Sequence, residues 1–198
     1  RFRDGLDCSV TRVTFESRAR HAPSKGIRVP QETADPRIDL ILDRLPRRDF
    51  VASEDLRGLL SGHSIPSKRT VRQILARTPR VKSAYRVLLI GAGSGYLPAV
   101  LGHLAAEVVA VEKEAAVARI AVANLERTGL DNVEVVVGDG EDGHAEGAPF
   151  DLVISGCFLQ RTNTLLAQLA EGGSLVTLEG ADAQAPELVQ YRKRHDEA

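Results

Sequence analysis

At 198 residues and 43% hydrophobic content, the chain holds enough apolar side chains for one sizeable core and a small appendage. Twenty-six basic residues against 27 acidic ones give a net charge of −1, which argues against a protein whose main task is gripping nucleic acid or an anionic membrane. No apolar run approaches the roughly 20 residues of a membrane span, RFRDGLDCSV lacks the apolar centre of a secretory signal, and Cys8 and Cys157 form no motif, so a reduced, cytoplasmic setting is expected.

Residues 1–36 carry scattered Arg, Asp, Ser and Pro without a sustained period; Val10 to Phe15 reads as a strand and Ala22-Pro-Ser-Lys-Gly26 as a turn. From Pro36, the residues Ile38, Ile41, Leu42 and Leu45 share one helical face, and Pro46 ends the helix because it has no N–H to continue it. A second short helix is expected from Ser53 to Leu60, with Ser53 as N-cap and Gly62 just past its end. The polar turn Gly62-His-Ser-Ile-Pro-Ser67 then leads into Lys68 to Arg77. There Val71, Ile74 and Leu75 form an apolar stripe flanked by Lys68, Arg69, Arg72 and Arg77. Such a ring of charge is ordinarily a solvated helix face; a basic patch over a nucleotide is the alternative.

The most informative stretch is YRVLLIGAGSGYLPAVLGHL, Tyr85 to Leu104. Arg86-Val-Leu-Leu-Ile is a short apolar run of the kind that makes a strand buried on both faces. Gly91 to Gly95 can be neither helix nor strand. Leu97, Val100, Leu101 and Leu104 then share a helical face, with Pro98 in the first turn, where a missing N–H costs little. In a strand–glycine turn–helix unit the backbone lets a ligand approach closely, and the helix start offers free N–H groups. The spacing is G-x-G-x-G, and Tyr96 stands where a dinucleotide fingerprint has its third glycine, so the pattern suits S-adenosylmethionine better than a pyrophosphate, and NAD is a weak competitor.

The pattern repeats downstream. Strands are expected at Glu107–Glu112, Asn132–Val137, Phe150–Ser155 and Gly172–Leu178, and helices at Ala115–Thr128 and Asn163–Ala170. Alternating strands and helices give an α/β fold: a Rossmann-like, doubly wound, mostly parallel sheet whose ligands sit beyond the carboxyl ends of the strands. Those ends are Gly91–Gly95, Glu112, Gly138-Asp139-Gly140 and Ser155-Gly156. A carboxylate at Glu112, with Lys113 as its neighbour, has two oxygens for two ribose hydroxyls; the alternative is a solvated strand-end glutamate. Asp139 between two glycines is placed to accept from an adenine amino group, with an ordinary Asp-Gly turn as the equal alternative. The five histidines show no metal spacing, and there is no nucleophile elbow, so neither a metal nor a hydrolase triad is expected.

These blocks resemble the protein-L-isoaspartate (D-aspartate) O-methyltransferases over about residues 35 to 180. DPRIDLILDRLPRRDFV is similar to that family's leading helix and "vPR..FV" signature, and VLLIGAGSGYLPAVLGHL to its "VLEIGTGSGYQAAVLA". NVEVVVGDGEDG, APFDLVISG and LLAQLAEGGSLVTLEG follow in the family's order. The resemblance implies a class I methyltransferase fold. A helical extension (1–80) would contribute to the substrate side, and residues 81–198 would bind S-adenosylmethionine and release S-adenosylhomocysteine. It implies that Gly91, Ala92, Gly93, Ser94, Gly95 and Tyr96 hold the cofactor backbone, Glu112 and Lys113 lie at the ribose, and Gly138, Asp139 and Gly140 lie at the adenine. The substrate would be an isoaspartyl peptide or protein, bordered by the turn His63–Ser67 and the loop after Ser155.

Three departures stand out. Leu89 replaces the acidic residue two positions before the first glycine, which weakens the expected hold on the cofactor's amino end. Pro66 stands where the family has a serine near the acceptor carboxylate, leaving Ser64 and Ser67 as the candidates for that role. Little follows Glu187-Leu-Val-Gln-Tyr-Arg192, where the family continues into a final strand near "FVPL". These departures keep open two alternatives, a degraded domain serving as a docking module of a larger protein and a methyltransferase with another acceptor. With no methionine, Arg1 is not a translated start: either the chain belongs to a longer protein or residues are absent from it.

Overall fold

The computed structural model describes residues 8–13, 35–51, 65–179 and 187–194. Its strands are β1 (Cys8–Val13), β2 (Arg86–Ile90), β3 (Glu107–Glu112), β4 (Val133–Val137), β5 (Phe150–Phe158), β6 (Leu169–Glu179) and β7 (Glu187–Lys193). Its helices are α1 (Pro36–Arg44), α2 (Lys68–Leu75), α3 (Tyr96–Gly102), α4 (Ala115–Glu126) and α5 (Asn163–Ala167). The strands form one sheet in the order β1-β7-β6-β5-β2-β3-β4. The five from β6 to β4 are parallel, while β7 runs antiparallel to β6 and β1 antiparallel to β7. The chain moves outward from β2 through β3 to β4, then returns to lay β5 on the other side of β2. A crevice opens at that reversal, beyond the carboxyl end of β2.

The sheet is apolar on both faces because helices cover both. Alternate residues of β2 serve opposite cores: Val87 and Leu89 join one cluster with Val71 and Leu75 of α2 and Leu101 of α3, while Leu88 and Ile90 join the other with Leu165 and Leu166 of α5. A period of two divides a continuous apolar run between two layers. Ile38 and Leu42 of α1 pack into the first cluster as well.

Several expected boundaries shift. The first strand spans Cys8–Val13 rather than Val10–Phe15, and Phe15 lies outside the described residues, as do the turn at 22–26, the expected helix at 53–60 and Ser64. The helix expected to run to Ala170 stops at Ala167, because buried Leu169 pairs with Phe150 and begins β6. β5 continues past Ser155 to Phe158 through a break in its register with β6. Glu187–Lys193, for which the sequence suggests no element, forms a strand paired with β6.

Two polar junctions fix the sheet's entry. The Asp151 carboxylate accepts from the Arg86 backbone N–H at 2.8 Å, tying the first residue of β2 to β5, and the Arg86 side chain reaches Glu107 of β3 at 2.8 Å. Asp35 caps α1 by accepting from the Arg37 N–H at 3.1 Å, and Arg37 in turn donates to Val81 O at 2.6 Å, joining α1 to the segment before β2. Asp151→Ala should destabilise the fold by about 1–3 kcal/mol in urea unfolding, because it strands a backbone donor, with Asp151→Asn costing less. The Arg37 side chain, assisted by its N–H and by Arg80, holds the Asp35 carboxyl below the ordinary aspartate range against the opposing effect of burial. Its contribution is therefore complete above the unfolded value, about 3.9, and is lost as pH falls through the lower folded value. Asp35→Asn should flatten the acid limb of a thermal midpoint-versus-pH curve below about pH 4.

Candidate active site

The chain leaves β2 through Gly91, Gly93 and Gly95, all at positive φ (+91°, +54° and +85°). A side chain at Gly91 or Gly93 would meet nothing within 4 Å, so conformation rather than space calls for glycine there. At Gly95, the N-cap of α3, a Cβ would also lie 3.0 Å from Ala121 O.

The turn is fastened from three sides. Gly91 N donates to Val111 O of β3 at 2.8 Å. Glu112, which ends β3 and is only 5% exposed, accepts from Gly93 N at 2.9 Å and from Glu114 N at 3.2 Å. Asn124 of α4 donates from Nδ2 to Ser94 O at 2.7 Å and to Phe50 O at 3.4 Å. The Phe50 ring meets Tyr96 edge-on, with centroids 5.2 Å apart. Burial raises the Tyr96 phenol above its usual pKa, opposed by Arg47 and Arg72, so it remains a neutral hydroxyl at pH 7. Ser94 Oγ and Tyr96 Oη are both buried and have no hydrogen-bond partner among the described residues.

This turn forms one wall of a cavity of about 460 Å³. Gly91, Ala92, Gly93, Ser94, Tyr96 and Glu112 all line it. Ile65 and Pro66 line it as well, followed by Thr70, Gln73, Ile74 and Arg77. Ile154 to Cys157 supply the β5 side, and Val176, Leu178 and Leu188 an apolar side from β6 and β7. Among the described residues, Glu112 and Arg77 are the charged members of the lining. Ser155 Oγ donates to Cys157 O at 2.9 Å and accepts from Cys157 N at 3.4 Å, closing a small ring that shapes the end of β5.

Other expected site residues lie outside this lining. Gly95 sits behind it as the α3 cap. Lys113 pairs with Asp139 at 3.1 Å, and the other Asp139 oxygen accepts from Glu141 N at 3.1 Å. The Glu141 N–H, followed by Lys113, lowers the Asp139 pKa, while Asp139 raises that of Lys113. Glu141 continues the chain of contacts to the loop after β5, accepting from Gln160 N at 2.9 Å and Arg161 Nε at 3.1 Å. At Gly140 a Cβ would stand 2.2 Å from the Ile90 side chain, so glycine there lets the loop pass close over the end of β2. Gly138 tolerates ordinary contact, 3.6 Å from Val111. Ser67 caps α2, accepting from Thr70 N at 3.0 Å, and its side chain is exposed.

The sequence suggests α2 as a solvated face or a basic patch over a nucleotide; of Lys68, Arg69, Arg72 and Arg77 only Arg77 lines the cavity, and Thr70 and Gln73 are not singled out by the sequence. Thr70, Gln73, Ile74 and Arg77 recur at i, i+3, i+4 and i+7, a helical face in its own right, but its mixed polarity hid it beside the apolar stripe of Val71 and Leu75. Among the described residues no group of His, Cys, Asp and Glu is arranged to hold a metal ion.

The family model for protein-L-isoaspartate (D-aspartate) O-methyltransferase matches residues 33–198. A protein-L-isoaspartate O-methyltransferase of Koribacter versatilis is 36% identical over 162 residues, 78% of this chain and 71% of that one. A solved protein-L-isoaspartate O-methyltransferase superposes with a TM-score of 0.69 at 25% identity, covering 82% of this chain, which spans 56% of the length of that one. A Plasmodium falciparum structure, described as a protein of that kind in complex with S-adenosyl-L-homocysteine, shares the fold with a TM-score of 0.59 at 18% identity over 79% of this chain and 89% of that one. The chain belongs to the protein-L-isoaspartate (D-aspartate) O-methyltransferase family.

Proposed function

We propose that the chain is an S-adenosylmethionine-dependent carboxyl methyltransferase that esterifies isoaspartyl residues in damaged proteins, as a repair enzyme of the reducing cytoplasm. The observation that carries this reading is Glu112, a buried carboxylate hydrogen-bonded to a glycine turn at the edge of a mostly apolar cavity. Each of its oxygens already accepts one backbone N–H and keeps a further lone pair for a ribose hydroxyl.

The donor set fits the nucleoside part of the cofactor. Gly91 and Gly93 leave open space where side chains would stand, and the orphaned Ser94 and Tyr96 hydroxyls belong to residues of the same wall. Asp139 accepts one donor on each oxygen, from Lys113 and from Glu141 N, and keeps further lone pairs for an adenine amino group. The cofactor's ammonium end has no carboxylate at position 89, where Leu89 is wholly buried and outside the cavity lining. Binding weaker than in a family member with an acid there is the expected consequence.

When bound, S-adenosylmethionine supplies an electrophilic methyl group on a sulfonium. The protein's part is alignment and exclusion of water. An isoaspartyl carboxylate is ionised at neutral pH, its pKa lying near that of aspartate, about 3.9, so no side chain has to remove a proton. Opposite charges cancel as the ester forms, and apolar walls such as Ile154, Val176 and Leu178 favour that cancellation over separated ions in water. Pro66 and the Ser155–Cys157 end of β5 would border the acceptor. In this arrangement Ser67 serves the α2 cap, and Arg77 is the cation nearest an incoming carboxylate within the lining.

Labelled methyl transfer should proceed to an isoaspartyl peptide and not to its aspartyl twin. No detectable binding of S-adenosylhomocysteine would support the docking-module reading that Leu89 favours; transfer to small molecules alone would indicate a different acceptor. Glu112→Ala should weaken S-adenosylhomocysteine binding by about tenfold to a hundredfold in calorimetry, the scale of hydrogen bonds to a charged group, with Glu112→Gln intermediate.

A further inference from the structure

Arg47 lies on the short 3-10 turn Arg47–Phe50 that follows α1, and it does not line the cavity. Its guanidinium nonetheless reaches the wall from behind: Nη2 donates to Ile65 O at 2.9 Å and Nε to Pro66 O at 3.2 Å. These are consecutive carbonyls, and both residues line the cavity that the glycine turn also lines. The next residue, Ser67, caps α2, whose Thr70–Arg77 face continues the same wall. A planar fork of N–H donors suits two neighbouring acceptors in a way that an ammonium does not.

The mount of this fork is itself tied to the cofactor side. Phe50, three residues on, packs edge-on against Tyr96, and the Asn124 side chain that holds Ser94 O also reaches Phe50 O. Arg127 of the same region donates to Asp49 O at 2.9 Å. One short turn therefore connects two parts of the lining, Ile65–Pro66 and Ser94–Tyr96. The bonds also fix where two carbonyl dipoles point. Ile65 O and Pro66 O face a cation outside the lining, so the wall presents the Ile65 and Pro66 side chains rather than two partial negative charges to an anionic acceptor.

Building on the methyltransferase reading, we propose that Arg47 is a positioning residue for the methyl acceptor. It sets the Ile65–Pro66 wall relative to the glycine turn and holds that wall's carbonyl oxygens away from the incoming carboxylate. The residue acts through the wall and touches no reacting atom.

The test compares Arg47→Ala and Arg47→Lys with the unaltered chain by three readouts: hydrogen exchange at the Thr70 and Val71 amides (both bonded to Ser67), S-adenosylhomocysteine affinity by calorimetry, and kcat and KM for an isoaspartyl peptide. Arg47→Ala should speed exchange at those amides and raise the peptide KM by about tenfold or more, the scale of two charge-assisted hydrogen bonds. S-adenosylhomocysteine affinity should stay within about twofold. Arg47→Lys should fall between, because a lysine restores the charge without the fork. Unchanged exchange with unchanged KM would overturn the proposal, as would a loss of S-adenosylhomocysteine affinity equal to the rise in KM. If the unaltered chain methylates no isoaspartyl peptide, the functional reading falls by itself, and the exchange result alone decides whether Arg47 anchors the wall.

Discussion

A single hydrogen bond, from the Gly93 N–H to the Glu112 carboxylate, organises the carboxyl end of this sheet. β2 and β3 are parallel neighbours, so they end at the same level and their following turns must share the space above them. Glu112 resolves that crowding by folding its side chain into the neighbouring turn and taking backbone donors that a glycine-rich loop leaves unpaired. The exchange is mutual, since a buried carboxylate needs donors as much as the loop needs acceptors. With this bond and that of Gly91 to Val111 in place, α3 starts from a fixed point, and Tyr96 can meet Phe50 across the first core.

What the sequence reveals follows from how many demands each residue serves. β2 and β3 are legible because burial on both faces leaves them uninterrupted apolar runs. Glu112 is legible because an acid ends such a run. Leu169 misleads, because LLAQLA has helical spacing, and only the non-local partner Phe150 converts it to strand. The extension of β5 through Gly156 and Cys157 leaves no periodic trace, being shaped by the Ser155 hydroxyl bonding to both polar groups of the Cys157 backbone. Arg47 is invisible in a different way: its block of sequence is noticeable, but its partners lie 18 and 19 residues away and offer only carbonyls, which every residue has.

Charge is distributed to match this architecture. Among the described residues the lining holds one acid and one guanidinium, whereas Lys113, Asp139, Glu141 and Arg161 follow one another across the loops after β3, β4 and β5. These groups are mostly well exposed, so each pair is weak and screened by salt. Their arrangement joins three loops by contacts that can be exchanged at little cost, while the floor below is held by buried backbone bonds. A rigid floor with exchangeable loop contacts suits a site that must admit a nucleoside and then a peptide.

β1 has so far been only the last strand of the sheet. Its six residues pair with β7 from Cys8–Lys193 to Val13–Leu188, and β7 would otherwise be an outer edge. An unpaired edge is a template for strand exchange and aggregation. β1 thus shields one edge of β7, and that edge is covered only when two segments distant in sequence have come together. A form lacking the pairing would offer β7 to other chains, and with it a strand whose Leu188 also lines the cavity, so solubility and the integrity of the site depend on the same pairing.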